Sequence, residues 1–141
     1  MPTIVVCAAV IERAGRLLVT RRLKGTHLEG RWEFPGGKRE PGESYEDCLR
    51  REIREELDAE IVIGEELLTT THAYETVRVE LHFFASTLIG EPRPLLEQEV
   101  LWIARARLSD LAFPDADAEL IRLLMAPAPT SPASSGGGAS R

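Results

Sequence analysis

Glu52, Glu55 and Glu56, in the segment Arg51-Glu52-Ile53-Arg54-Glu55-Glu56-Leu57, are spaced i, i+3 and i+4. That spacing puts three carboxylates on one face of a helix. Such neighbours repel by about 0.2–0.5 kcal/mol per pair on an exposed helix, and a divalent cation turns the repulsion into coordination. Hard Mg²⁺ prefers carboxylate, carbonyl, water and phosphate oxygens and is seldom caged by protein alone, so the face suits an ion shared with a phosphorylated substrate. The same string also reads as a solvated face laced by pairs such as Arg51 with Glu55. The preceding Pro35-Gly36-Gly37 shifts the balance. It follows a short apolar stretch, Trp32-Glu33-Phe34, and permits a tight loop whose backbone carbonyls approach a cation or phosphate.

From Gly37 the chain runs GKREPGESYEDCLRREIREELDA, which sets Gly37, five residues, Glu43, seven residues, Arg51-Glu52-Ile53, one residue, then Glu55-Glu56. This segment of 23 residues resembles the Nudix box. One departure stands at its end, where Asp58 replaces the usual glycine and Ala59 a normally aliphatic residue. Asp tolerates left-handed backbone better than most residues, so the turn after the helix can survive. Arg21-Arg22, His27 and Trp32 to Lys38 are similar to the N-terminal half of MutT-type nucleoside triphosphate pyrophosphohydrolases, with weaker similarity continuing through Arg78 and Asp117.

The resemblance implies an α/β/α sandwich with a mixed central sheet, dependence on Mg²⁺ or Mn²⁺, and conversion of a nucleoside triphosphate to monophosphate and pyrophosphate. It assigns metal ligation to Glu52, Glu55, Glu56 and the Gly36 carbonyl, casts Glu52 as general base, and leaves Arg51 to orient the carboxylates. A further acidic ligand from a loop before a late strand would be Glu97 or Glu99. Glu43 supports the helix start or the loop. For the substrate, Arg22 would meet terminal phosphates by charge-assisted bonds, His27 phosphate or sugar, and Arg78 is a third contact. Phe34 either walls a base pocket or packs in the core. Asp117 falls where the MutT-type pattern reads the base: an ionised Asp accepts hydrogen bonds, from oxidised guanine or from the cytosine amine. Its other reading is a helix cap, shared with Asp115. The implied substrate is 8-oxo-dGTP, in sanitation of the nucleotide pool and so in DNA repair. CTP, dCTP or modified cytosine nucleotides are the alternative, and a non-catalytic nucleotide sensor is the reading from another class.

The elements that must position these residues are a mixture of strands and helices without regular alternation, so the expected class is α+β. Thr3 to Ile11 and Arg16 to Thr20 suggest a hairpin. Ser44, with Asp47 three residues on, caps a helix over 45–57. Strands follow at 61–71, 76–88 and 100–104, and Leu120, Leu123 and Leu124 give 115–125 the spacing of a short amphipathic helix. Residues 1–125 form one domain, and 126–141, composed of Ala, Pro, Ser, Gly, Thr and one Arg, read as a disordered tail.

The 141 residues carry 17 Lys+Arg against 23 Asp+Glu, a net charge of −6 that disfavours general nucleic-acid binding. No run approaches the ~20 apolar residues of a membrane span, and Met1-Pro2-Thr3 begins without a basic region followed by an apolar core, so no secretory leader is expected. A cytoplasmic protein, monomer or weak homodimer, is expected. Cys7 and Cys48 are expected as reduced, packed thiols and not as zinc ligands.

Overall fold

Thr3–Arg13 forms β1, and the unbroken apolar run Ile4 to Ile11 within it has a direct cause: both faces of that stretch are covered. The computed structural model describes residues 1–21 and 30–127. Arg22, His27 and all of the tail beyond Pro127 lie outside the described residues. After β1 come β2 (Arg16–Arg21), β3 (Trp32–Glu33), β4 (Gly36–Lys38), helix α1 (Tyr45–Leu57), β5 (Glu60–Ala73), β6 (Arg78–Ile89), β7 (Glu99–Ala104) and helix α2 (Ala118–Met125). Two 3-10 segments, Arg105–Asp110 and Asp115–Asp117, lead into α2.

The sheet is mixed, as an α+β sandwich requires. β1 runs parallel to β6 from Thr3↔Arg78 to Ile11↔Ser86 and antiparallel to β4, while β5 closes that edge antiparallel to β6. β2 pairs β3 on one side and β7 on the other. The expected hairpin exists only at its tip, where Glu12↔Leu17 and Arg13↔Arg16 join the two halves across Ala14 and Gly15. Both turn residues have positive φ, 53° and 77°, as a two-residue turn matched to strand twist demands. The rest of β1 is claimed by the non-local partners β4 and β6, which the hairpin reading did not anticipate.

Alternation along β1 divides two cores. Cys7, Ala9 and Ile11 pack with Cys48, Leu49, Ile53 and Leu57 of α1, whereas Ala8 and Val10 pack with Leu120 and Leu124 of α2 and with Phe34 and Phe83. Each fully buried Leu, Ile or Phe contributes about 1.5–3 kcal/mol, so both helices are held mainly by these faces. Cys7 and Cys48 are free, buried thiols, as expected. Burial pushes the Cys7 thiol up to about 12.

The ends of α1 follow the sequence closely. Ser44 Oγ accepts the Asp47 amide at 3.0 Å, and Asp58 adopts the left-handed conformation (φ 51°, ψ 46°) while its amide returns to the Arg54 carbonyl at 3.1 Å. Other boundaries shift: the strand expected at 61–71 extends to Ala73, the next begins at Arg78, and the last helix opens with a 3-10 turn over Asp115–Asp117. No helix among the described residues is long and apolar enough to cross a membrane.

Candidate active site

β4 brings the two glycines beneath α1 because neither position has room for a side chain. A Cβ at Gly36 would lie 2.0 Å from the Cys7 carbonyl oxygen, and one at Gly37 2.3 Å from Cδ of Glu52. The Glu52 carboxylate therefore rests on bare Gly37 backbone. The Cys48 thiol, one turn earlier on α1, reaches the Gly37 carbonyl at 3.6 Å.

Arg51 organises the helix face. Its Nε and Nη2 hold Glu43 at 2.7 and 3.0 Å, Nη1 reaches Glu52 at 2.8 Å and Glu55 at 3.3 Å, and Nη2 also donates to the Lys38 carbonyl at 3.0 Å. The two-pronged bond from Arg51, with the Glu40 amide second, pulls the Glu43 carboxyl down to about 2. The same hydrogen bonds push Arg51 up, so its charge is fixed at every pH the protein meets. Glu55 is largely exposed, with 58% of its side chain open to solvent, whereas Glu52 retains 15%.

Glu56 carries the strongest electrostatic signal. Burial pushes its carboxyl up to about 9, reinforced by a hydrogen bond with Glu52 and by the charges of Glu33 and Glu52, while a backbone hydrogen bond with Gly36 works the other way. A half-buried carboxylate crowded by two others is a site short of positive charge. Among the described residues no three His, Cys, Asp or Glu side chains already converge as a finished metal cage. The donor set present, the carboxylates of Glu52, Glu55 and Glu56 with the Gly36 carbonyl, is hard oxygen and incomplete. It fits a divalent ion whose remaining ligands are water and phosphate.

On the opposite face of the sheet lies a cavity of about 480 Å³. Phe34, Leu81 and Phe83 supply apolar lining, and Gly36, Gly37, Glu33 and Asp117 also line it. Phe34 both packs in the core and lines this space, stacked on Phe113 at 5.4 Å and edge-on to Phe83 at 6.3 Å, so its two readings are compatible. Asp117 is 6% exposed and, although it precedes α2, makes no side-chain capping bond. The helix-cap reading does not describe it. Burial, with the charge of Glu33, pushes its carboxyl from 3.8 up to about 7. A carboxyl raised this far keeps a protonated fraction near neutral pH, and the protonated form donates as well as accepts, whereas the ionised form only accepts.

The remaining expected residues are less central. Glu99 is ion-paired with Arg21, and Glu97 sits exposed at a left-handed position (φ 59°). Gln98 between them reaches α1 with its side chain, its amide donating to the Glu56 carbonyl at 3.0 Å, and the backbone amides of Arg93 and Leu95 also donate to the Leu57 and Glu56 carbonyls. Arg78 is exposed at the start of β6, and its neighbours Val77 and Val79, not Arg78, line the cavity. Sequence reasoning missed Glu33, Lys38 and Tyr74 in the cavity wall. For Glu33 there was a signal: a lone carboxylate between two aromatics, two residues before the Pro-Gly-Gly loop.

The sequence matches the family described as NUDIX domain over residues 6–123. It is 33% identical over 127 residues to the CTP pyrophosphohydrolase of Escherichia coli (strain K12), covering 89% of this chain and 94% of the relative. It is 34% identical over 122 residues to the 8-oxo-dGTP diphosphatase of Haemophilus influenzae, covering 85% and 90%. The fold is similar to the solution structure of the E. coli ORF135 protein, with a TM-score of 0.80 at 32% identity over 89% of this chain and 90% of that one. A MutT protein of methicillin-resistant Staphylococcus aureus 252, a Nudix hydrolase, gives 0.73 at 34%, covering 89% and 98%. With the glycine cradle, the carboxylate face and a family match spanning nearly all the described residues, this chain belongs to the NUDIX domain family, as a hydrolase of phosphoric anhydride bonds.

Proposed function

We propose that this hydrolase is a Mg²⁺-dependent, MutT-like pyrophosphohydrolase that converts a nucleoside triphosphate to monophosphate and pyrophosphate, with 8-oxo-dGTP as its preferred substrate. The observation that carries the reading is the cavity lined both by Gly36 and Gly37, beside the carboxylates, and by the buried Asp117. Its size and apolar wall suit a purine, and the buried carboxyl suits recognition of the base edge.

In this reading Glu52, Glu55, Glu56 and the Gly36 carbonyl would hold the ion, and the chemistry it would supply is neutralisation of phosphate charge and a lowered pKa for water. Glu52, fixed by Arg51 and seated on Gly37, would act as general base toward the attacking water. Arg51 holds Glu52 and Glu55 in register through its own anchor, Glu43. Glu97, which makes no ion pair among the described residues, is the better candidate for the additional ligand, because Arg21 engages Glu99. Phe34 flanks the base and Asp117 exchanges hydrogen bonds with its edge. Arg22, His27 and Arg78 are assigned to phosphate and sugar. Action in a cytoplasmic nucleotide pool, as part of DNA repair, follows from that substrate.

The CTP pyrophosphohydrolase relative favours a second reading, in which cytosine nucleotides are the substrate. A panel of 8-oxo-dGTP, dGTP, dCTP and CTP, with pyrophosphate release measured at varied Mg²⁺ and after EDTA, decides between them. The proposal expects 8-oxo-dGTP to lead and EDTA to abolish release. Cytosine nucleotides turning over a hundredfold faster would reverse the order, and nucleotide-induced thermal stabilisation without product would replace the enzyme by a sensor.

A further inference from the structure

On the α1 face of the sheet, outside the site described above, His82 is buried with 7% of its side chain exposed and is held by carboxylates on both sides. Nδ1 lies 2.6 Å from Glu66 Oε2 and Nε2 lies 2.6 Å from Glu80 Oε2. Both ring nitrogens thus have a carboxylate oxygen within hydrogen-bond distance, which fixes the plane of the ring from two sides. Its lateral neighbours are Cys7 of β1 and Thr69 of β5, and Thr69 also donates its hydroxyl to Glu66.

Glu66 reaches His82 only because β5 is irregular. From Ile63 to Leu68 β5 advances five positions while β6 advances three, from Ser86 to Phe83, with register shifts on both sides of Glu66. Bulges of this kind re-aim a side chain at the expense of regular pairing. Here the re-aimed side chain completes the clamp.

The clamped ring supports the start of α1. Tyr45, the first residue of that helix, has its ring centroid 4.2 Å from that of His82, and the Arg39 guanidinium lies 5.5 Å over Tyr45. Arg39 in turn donates to the Glu43 carbonyl at 3.4 Å, and its amide to Val5 at 2.8 Å. The segment so pinned, 38–43, supplies both the Glu43 carboxylate and the Lys38 carbonyl that grip Arg51. A continuous stack therefore runs from the β5 irregularity to the guanidinium that orients the metal-binding carboxylates.

We propose that His82 is a positioning residue for the hydrolytic reaction, and that the Glu66–His82–Glu80 clamp acts through Tyr45 and Arg39 on the segment holding Arg51. The inference rests on the hydrolase reading above. Removing the stack loosens Arg51 and so weakens the hold on the ion, without touching the cavity on the other face of the sheet.

The test compares His82→Ala, Tyr45→Ala, Arg39→Ala and Tyr45→Phe. Each alanine variant is expected to raise the Mg²⁺ concentration for half-maximal turnover, and the Kd for Mn²⁺ followed by electron paramagnetic resonance without nucleotide, by roughly tenfold, with the nucleotide KM within about twofold. Tyr45→Phe keeps the ring and is expected to retain wild-type values. A merely structural role would lower the active fraction and leave metal affinity unmoved, and that result overturns the proposal. If His82→Ala does not fold, Arg39→Ala and Tyr45→Ala decide alone, because Arg39 is exposed and Tyr45 only partly buried at the edge of the core. Absence of turnover in the unaltered protein would sink the hydrolase reading, while unchanged metal affinity in the variants sinks only this one.

Discussion

Replacing Asp117 by Asn should change how the stability of the protein depends on pH. The carboxyl is 6% exposed and is displaced from 3.8 to about 7, chiefly by burial. A raised carboxyl favours the folded state fully only below its unfolded value; as pH climbs through 3.8 and towards 7 the unfolded chain ionises first and stability is lost. At roughly 1.4 kcal/mol per pH unit, the loss grows from under ~1 kcal/mol at pH 4 to about 4 kcal/mol at pH 8. Asn carries no titration, so Asp117→Asn should gain on the parent protein by about that difference between the two pH values, whatever constant effect the new amide has. Urea unfolding followed by circular dichroism at half-unit steps from pH 4 to 8 measures it. Parallel stability curves for the two proteins would show that Asp117 ionises normally, and the claim that it donates near neutral pH would go with them.

Glu52→Gln should lower turnover by roughly 10²–10⁴-fold with the fold intact, the usual worth of a general base, as measured by pyrophosphate release; retention within tenfold would remove that role. Gly37→Ala places a methyl 2.3 Å from Glu52 Cδ and should cut kcat more than the nucleotide KM, with an unchanged circular dichroism spectrum. Ile53→Ala, beneath the same helix, should cost about 2–5 kcal/mol of stability in urea titration, and a loss under 1 kcal/mol would mean that α1 is not held by its buried face.

The parts of this protein legible in the sequence are those that depend on short spacings. Glu52, Glu55 and Glu56 share a face because α-helical geometry leaves no alternative, Ser44 caps because its hydroxyl lies three residues from a free amide, and Asp58 takes the left-handed turn. What escaped depends on distant segments. The parallel pairing of β1 with β6 has no local signature, so Thr3 to Ile11 read as half of a hairpin. The displaced ionisation of Asp117 arises from a cavity built by four separate strands and from Glu33, 84 positions away in the chain. The Glu66–His82 contact depends on an irregular register that alternation alone would place on the wrong face. Gln98, not either flanking glutamate, meets α1, and only its burial reveals this.

Odd-numbered residues of β1 pack under the carboxylate helix and even-numbered ones floor the cavity. One ribbon of backbone thus separates the machinery of bond cleavage from the chamber that chooses the base, and the two meet at the glycine edge and at Glu33, whose charge acts on both Glu56 and Asp117. Substitutions that reshape the chamber can retune which nucleotide enters while the hydrolytic apparatus keeps its alignment. Divergence in substrate choice, with chemistry held constant, is the evolutionary freedom that this two-faced strand allows.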